Sequence, residues 1–246
     1  MIAEMKTPLT ATPQYVIIGA MVEEVEEFLA HARVDRVVDR GAFHVHEAEL
    51  CGVPVAIIKC GVGKVFAAMI TQHVIDAYHP AGIISTGVAG GLSPALTIGD
   101  VVVSRDCVHH DLDTSALGFP RGRIPYTDYR FFAGDENLVR LALSADLENR
   151  SHKAVAGRIV TGDQFIHGDR ATTHPYLTEE LEGDAVDMES AAIAQVCRVN
   201  NTPFVSVRTL SDMADGSADV DYVKFLPEVA NNSFHIVKAI LEGVKG

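Results

Sequence analysis

Short apolar runs that stop at glycine recur along this chain, with helical segments between them. Tyr15-Val16-Ile17-Ile18-Gly19, Val55-Ala56-Ile57-Ile58-Lys59-Cys60-Gly61 and Ala81-Gly82-Ile83-Ile84-Ser85-Thr86-Gly87 read as strands buried on both faces, the pattern of a parallel sheet's centre. Segments 99–104, 157–162 and 203–210 add three more, and His44 to Leu50 alternates weakly, which predicts a more exposed strand. Helices are predicted over 20–29, 64–78 (stopped by Pro80) and 138–147. Another follows Glu189, with Ile193, Val196, Cys197 and Val199 on its apolar face, and a last one runs from about Tyr222 to Leu241, where Pro227 can delay or kink its start. Strand–helix alternation of this kind predicts one α/β domain over 15–246 with a central mixed, largely parallel sheet flanked by helices. Residues 1–14, polar and proline-punctuated, predict a flexible tail.

The composition narrows the partners. The formal net charge of −13 would repel a phosphate backbone, which argues against nucleic acid and anionic membranes. No apolar run is long enough to span a bilayer, and the N-terminus lacks a basic stretch followed by an apolar one. Cys51, Cys60, Cys107 and Cys197 form no C-x-x-C pair, so reduced, mostly buried thiols and a cytoplasmic location are expected.

In α/β sheets ligands bind beyond the carboxyl ends of the strands. That rule gathers Met21 and Glu24 after the first strand, Val88-Ala89-Gly90-Gly91 (read as a small-residue loop) after the third, Asp163-Gln164-Phe165-Ile166 after Thr161-Gly162, and Ser211-Asp212 after the last. The acidic junction Asp187-Met188-Glu189 can face the same crevice, although a capped helix start explains it equally well in isolation. Three carboxylates, a phenyl ring and two thioethers suit a neutral polar ring carrying a sugar: acids for hydroxyls and ring nitrogens, Phe for stacking, Met for adaptable apolar contact.

Gly19-Ala20-Met21-Val22-Glu23-Glu24-Val25, Thr86 to Gly91, Thr161-Gly162-Asp163-Gln164-Phe165-Ile166, Asp187-Met188-Glu189 and Ser211-Asp212 occur in that order. Together they resemble the 5′-methylthioadenosine/S-adenosylhomocysteine nucleosidases of the nucleoside phosphorylase/hydrolase superfamily, from Tyr15 nearly to the C-terminus. The resemblance implies that Glu24 deprotonates an attacking water and that Asp212, oriented by Ser211, protonates adenine N7. It further implies that Glu189 holds the ribose hydroxyls, Met188 packs on the sugar, Phe165 stacks on adenine, the backbone of Ile166 reads its edge and Arg208 supports the shell. Met21, Val88, Ala89, Gly90, Thr114, Gln164, Asp187 and Tyr222 complete the implied binding set. A homodimer is implied, with 109–132 at the interface or contributing to the neighbour's site.

Breaking an N-glycosidic bond builds positive charge on ribose and negative charge on the base, so a carboxylate near the sugar and an acid at N7 both favour it. Asp212 must then hold a proton near neutrality, which requires a raised pKa. The phosphorylase branch holds phosphate with arginines after the first and third strands. Glu23, Glu24 and Ser85 stand there instead, so water is the expected nucleophile. Val88 departs from the Ser common in the family, which leaves the 5′ substituent open among methylthio, homocysteinyl, deoxy and aminodeoxyfutalosine-type groups. Two other readings stand beside this one. His109-His110-Asp111-x-Asp113, with His44 and His46, could ligate Zn or Mn, although adjacent histidines diverge and no H-x-x-x-H spacing accompanies them. A non-catalytic nucleoside sensor on the same fold is the second. It has no need for Glu24 and Asp212 together, so the expectation is an enzyme without metal or cofactor that releases adenine.

Overall fold

The computed structural model describes residues 12–147, 151–168, 170–215 and 232–245. Most of the predicted tail, the start of the last helix and Tyr222 lie outside the described residues. The strands are β1 (Tyr15–Gly19), β2 (Arg33–Arg40), β3 (Phe43–Leu50), β4 (Val53–Lys59), β5 (Gly82–Gly91), β6 (Val101–His109), β7 (Phe132–Ala133), β8 (Ala154–Thr161), β9 (Ala185–Asp187) and β10 (Phe204–Asp212). The helices are α1 (Glu26–His31), α2 (Lys64–Tyr78), α3 (Glu136–Leu143), α4 (Arg170–Thr173), α5 (Tyr176–Glu179), α6 (Ser190–Val199) and a C-terminal α7 described over 232–243.

The sheet runs β10-β6-β8-β9-β5-β1-β4-β3-β2, and β10 also pairs with β5, so its larger half closes on itself. Parallel pairs β4–β1–β5–β10 and β6–β8–β9 form the centre, while β2, β3 and β7 are antiparallel additions. Period-two burial explains the layers. Val16, Ile18, Ala56 and Ile58 face one core with Ala67, Ile70 and Val74 of α2 and Ala191 and Ile193 of α6. Ile17, Val55 and Ile57 face the other, with Phe28 of α1, Leu138 and Leu141 of α3 and Ile236, Val237 and Ile240 of α7.

Local chemistry sets the boundaries. Asp135 caps α3 by accepting from the backbone N–H of Asn137 and Leu138, and α2 ends where His79 turns left-handed ahead of Pro80. Cys51 (φ 53°) and Gly52 (φ 70°) make the tight β3–β4 turn, with Leu50 opposite Val53.

Three expectations change. The helix predicted over 20–29 begins only at Glu26, because the carboxylate of Glu24 bonds the backbone N–H of Ala20 and Met21 and fixes that segment as a turn. Val88-Ala89-Gly90-Gly91 is not a loop but the end of β5, paired with β10 and β9 on either side. Its small residues answer crowding: a Cβ on Gly90 would stand 2.9 Å from Ala214 Cβ and 3.0 Å from Asp212 Oδ1. Finally, β2 is an additional, mostly exposed strand in which Val34, Val37 and Val38 are interleaved with charges of alternating sign and form no continuous apolar run.

Candidate active site

The carboxyl ends of β1, β4, β5, β9 and β10 and the segment after β8 surround a cavity of about 280 Å³. Its walls include Met21, Glu24, Val88, Ala89, Gly90, Gln164, Phe165, Ile166, Asp187, Met188, Glu189, Ser211 and Asp212, all expected from sequence, together with Ala20, Val62 and Val186, which were not. Val62 could have been found: it sits between Gly61 and Gly63 at the end of β4, where the same rule for α/β sheets places ligands. Thr114 and Arg208 are not on these walls, and Tyr222 lies outside the described residues.

Glu24 is buried at the first wall. Its Oε2 accepts from the N–H of Ala20 (2.5 Å) and Met21 (3.0 Å), and its Oε1 from the N–H of Val88 (3.0 Å). Burial raises its pKa, with Arg208 and the three backbone donors pulling the other way. This close approach requires Gly87, because a Cβ there would overlap Glu24 Oε1 and stand 2.8 Å from Arg208 Nη1.

Beneath the cavity lies a buried charge cluster. Arg208 Nε donates to Asp187 Oδ2 at 2.7 Å and Nη2 lies 3.8 Å from Glu189 Oε2. Burial disfavours the guanidinium charge, but Asp187, Glu189 and Glu24 outweigh it and hold the pKa above its usual value. Asp187 lines the cavity, yet its carboxylate is occupied: it also accepts from Thr161 Oγ1 (2.5 Å) and from the N–H and hydroxyl of Ser190. Such saturation makes Asp187 a support for Arg208 rather than a ligand-facing acceptor. Glu189 Oε1 accepts from Gly63 N–H at 2.8 Å. Burial and the neighbouring Asp187 push its pKa up, against the pull of Arg208.

Asp212 is also buried, at the far wall, with Ser211 Oγ donating to Oδ2 (2.9 Å) and Ala214 N–H to Oδ1 (2.7 Å). Phe165 is half-exposed at the mouth and Ile166 is buried behind it. The segment that carries them is fastened through Asp163. Asp163 Oδ1 accepts from Lys64 N–H (2.9 Å), its own N–H donates to Asp111 Oδ2 (3.0 Å), and Lys64 Nζ reaches both Asp111 oxygens (2.6 Å).

These contacts account for the His109–Asp113 cluster. Asp111 pairs with Lys64, Asp113 with Arg121 (2.6 Å), and His109 Nε2 lies 2.9 Å from Gln195 Oε1. His110 is fully buried, and burial lowers its pKa to about 4. His44 is exposed and bonds Asp39, while His46 Nδ1 faces Ile57 O. Among the described residues no three His, Cys, Asp or Glu side chains are placed to share a metal ion.

Comparison with known proteins agrees with this layout. A family model described as the phosphorylase superfamily matches residues 14–242. A 5′-methylthioadenosine/S-adenosylhomocysteine nucleosidase from Anoxybacillus flavithermus is 40% identical over 228 residues, covering 92% of this chain and 96% of the relative. The crystal structure of the nucleosidase of the same name from Neisseria meningitidis, in complex with methylthio-immucillin-A, superposes with a TM-score of 0.86 at 37% identity, covering 93% of this chain and 98% of that one. A futalosine hydrolase of Helicobacter pylori superposes with a TM-score of 0.84 at 30% identity, covering 94% and 98%.

Proposed function

The chain belongs to the phosphorylase superfamily and, within it, to the 5′-methylthioadenosine/S-adenosylhomocysteine nucleosidases, and from that premise we propose how its residues divide the reaction. The enzyme hydrolyses the N-glycosidic bond of 5′-methylthioadenosine and S-adenosylhomocysteine, releasing adenine and the 5′-substituted ribose.

The observation that carries the division of labour is the placing of two buried carboxylates, Glu24 and Asp212, on separate walls of one cavity, with Glu189 on a third element. Glu24 is the base. It accepts a proton from water as the water oxygen bonds to C1′, and a pKa raised by burial suits a group that must take a proton near neutrality. Asp212 is the acid. It donates to adenine N7 while the C1′–N9 bonding pair leaves with the base, and Ser211 fixes which way its carboxyl points. Glu189 accepts from the ribose hydroxyls, Met188 packs on the sugar, and Phe165 with Gln164 and the backbone of Ile166 reads the adenine. Met21, Val88, Ala89 and Gly90 shape the floor. Arg208, held by Asp187, keeps the acids from repelling one another. Asp212→Asn therefore lowers turnover by on the order of 10²–10⁴, and near-normal adenine release by that variant would refute the assignment.

The enzyme works as a homodimer. Val65, Phe66 and Met69 form an exposed apolar stripe along α2, with Val62 exposed just before it, and Lys64–Asp111 ties that helix to the 109–132 segment. Thr114, which does not line its own chain's cavity, then serves the neighbouring subunit's site. The preference among 5′ substituents is set at that junction. Among the described residues no helix is long and apolar enough to cross a membrane. The unpaired Cys51, Cys60, Cys107 and Cys197 suit the reducing cytoplasm.

A further inference from the structure

Ser190 is fully buried at the start of α6 and does not line the cavity, yet both of its polar groups are bound to the site. Asp187 Oδ2 accepts from the Ser190 N–H at 3.0 Å and from the Ser190 hydroxyl. The first of these bonds closes a turn whose two inner residues are Met188 and Glu189. The same Oδ2 accepts from Arg208 Nε at 2.7 Å, and Arg208 Nη2 lies 3.8 Å from Glu189 Oε2. One carboxylate oxygen thus joins the turn that presents Glu189 to the cation that faces it. A hydroxyl has a single proton to donate. That of Ser190 goes to Asp187, so in the 2.7 Å contact between Ser190 Oγ and Ser206 Oγ it is Ser206 that donates. Ser206 is itself fully buried on β10, two residues before Arg208, and its N–H donates to Ser104 Oγ of β6 at 2.8 Å. Asp187 Oδ1 is fixed from another side by Thr161 Oγ1, which in turn accepts from Ala191 N–H at 2.9 Å. A directed row of hydroxyls therefore runs from β10 through the start of α6 to Asp187. In a low-dielectric interior such bonds polarise one another, and losing one donor leaves a buried charge short of a partner.

We propose that Ser190, with Ser206 behind it, is a positioning residue of the reaction: the two hydroxyls hold the Asp187 carboxylate so that it fixes Arg208 on one side and the Met188–Glu189 turn on the other. Neither serine touches substrate. Ser206 sets the direction of the Ser190 hydroxyl, Ser190 sets the direction of Asp187, and Asp187 holds the Arg208 guanidinium opposite Glu189. The proposal rests on the reading of Glu189 as the residue that holds the ribose. Positive charge on the ribose develops only in the transition state, so a Glu189 carboxylate that has lost its aim lowers kcat and leaves KM nearly unchanged.

The test is a double-mutant cycle on Ser190→Ala and Ser206→Ala, with Glu189→Gln beside it. Melting temperature, kcat and KM for adenine release from 5′-methylthioadenosine are measured for each protein. Ser190→Ala is expected to lower kcat by about tenfold with KM changed by less than about threefold, and Ser206→Ala to lower kcat by about threefold. The double variant turns over no more slowly than Ser190→Ala alone, because Ser206 acts only through the Ser190 hydroxyl. Losses in kcat that multiply in the double variant overturn the proposal. So do lowered melting temperatures with wild-type kcat, which would make the row a purely structural one. If Ser190→Ala fails to fold, Ser206→Ala decides: a lowered kcat at unchanged KM supports the proposal, and wild-type kinetics overturns it. Wild-type kcat in Glu189→Gln would refute the reading of Glu189 at the ribose. A lowered kcat in Ser190→Ala would then still uphold its positioning role, exerted through Arg208.

Discussion

Glu24 and Glu189 are two carboxylates raised by the same cause, burial, and restrained by the same cation, Arg208. A base must be ionised to accept a proton, so kcat/KM falls as pH drops through the raised pKa. The acid limb of the pH–rate profile is therefore expected to have its midpoint above 4.5, the ordinary value of a glutamate. Because the acids share Arg208, that midpoint belongs to the cluster rather than to one residue. A midpoint at or below 4.5 would mean that the essential base is not buried in this way. At this scale the sequence was informative about which acids meet: Glu24 and Asp212 each follow a strand predicted from its apolar run, Glu189 belongs to the acidic junction expected to face the same crevice, and strand ends converge by topology. It grouped Asp187 with the binding residues, although its carboxylate is consumed by Thr161, Ser190 and Arg208, because nothing local distinguishes an acid facing a ligand from one facing a buried arginine.

Between elements, the bonds linking Lys64, Asp111 and Asp163 fasten the start of α2, the end of β6 and the segment that carries Phe165. The pair is half-buried, and the Lys64 ammonium pulls the Asp111 pKa below its ordinary value against the effect of burial. Lys64→Ala removes the ammonium that fixes the Asp111 carboxylate, and so loosens the acceptor of the Asp163 N–H, without touching Glu24 or Asp212. Its expected effect is a KM raised by about tenfold with kcat changed by less than about threefold, the pattern of lost ground-state positioning. Steady-state kinetics check this, and a fall in kcat at constant KM would contradict it. Such clasps escape sequence reading because their partners lie 47 and 99 residues apart. Two element types also misled. Val88 to Gly91 look like a loop because glycine is a poor strand former, yet crowding from both neighbouring strands selects the small residues. In β2 the strand is held by pairing with β3 and by the Arg36–Glu47 ion pair at 2.8 Å, with little apolar burial to signal it.

The whole molecule presents exposed Val65, Phe66 and Met69 on α2, and Thr114 is not among the walls of the cavity; in the homodimer proposed above that apolar stripe is the surface a second copy would cover. Gel filtration is expected to return the mass of two chains, twice 26.5 kDa, and elution as a single chain would contradict the dimer. The α/β class was legible because alternating apolar runs leave few topologies open. The closure of the sheet through β10–β5 was not, since pairing between distant strands leaves no local mark. The central claim is that water, activated at Glu24, displaces adenine. It is tested most directly by following adenine release from 5′-methylthioadenosine by the wild-type protein, with and without inorganic phosphate, and identifying the sugar. Equal rates in both, with free methylthioribose as the product, are predicted. Release that requires phosphate and yields the sugar 1-phosphate would contradict the account.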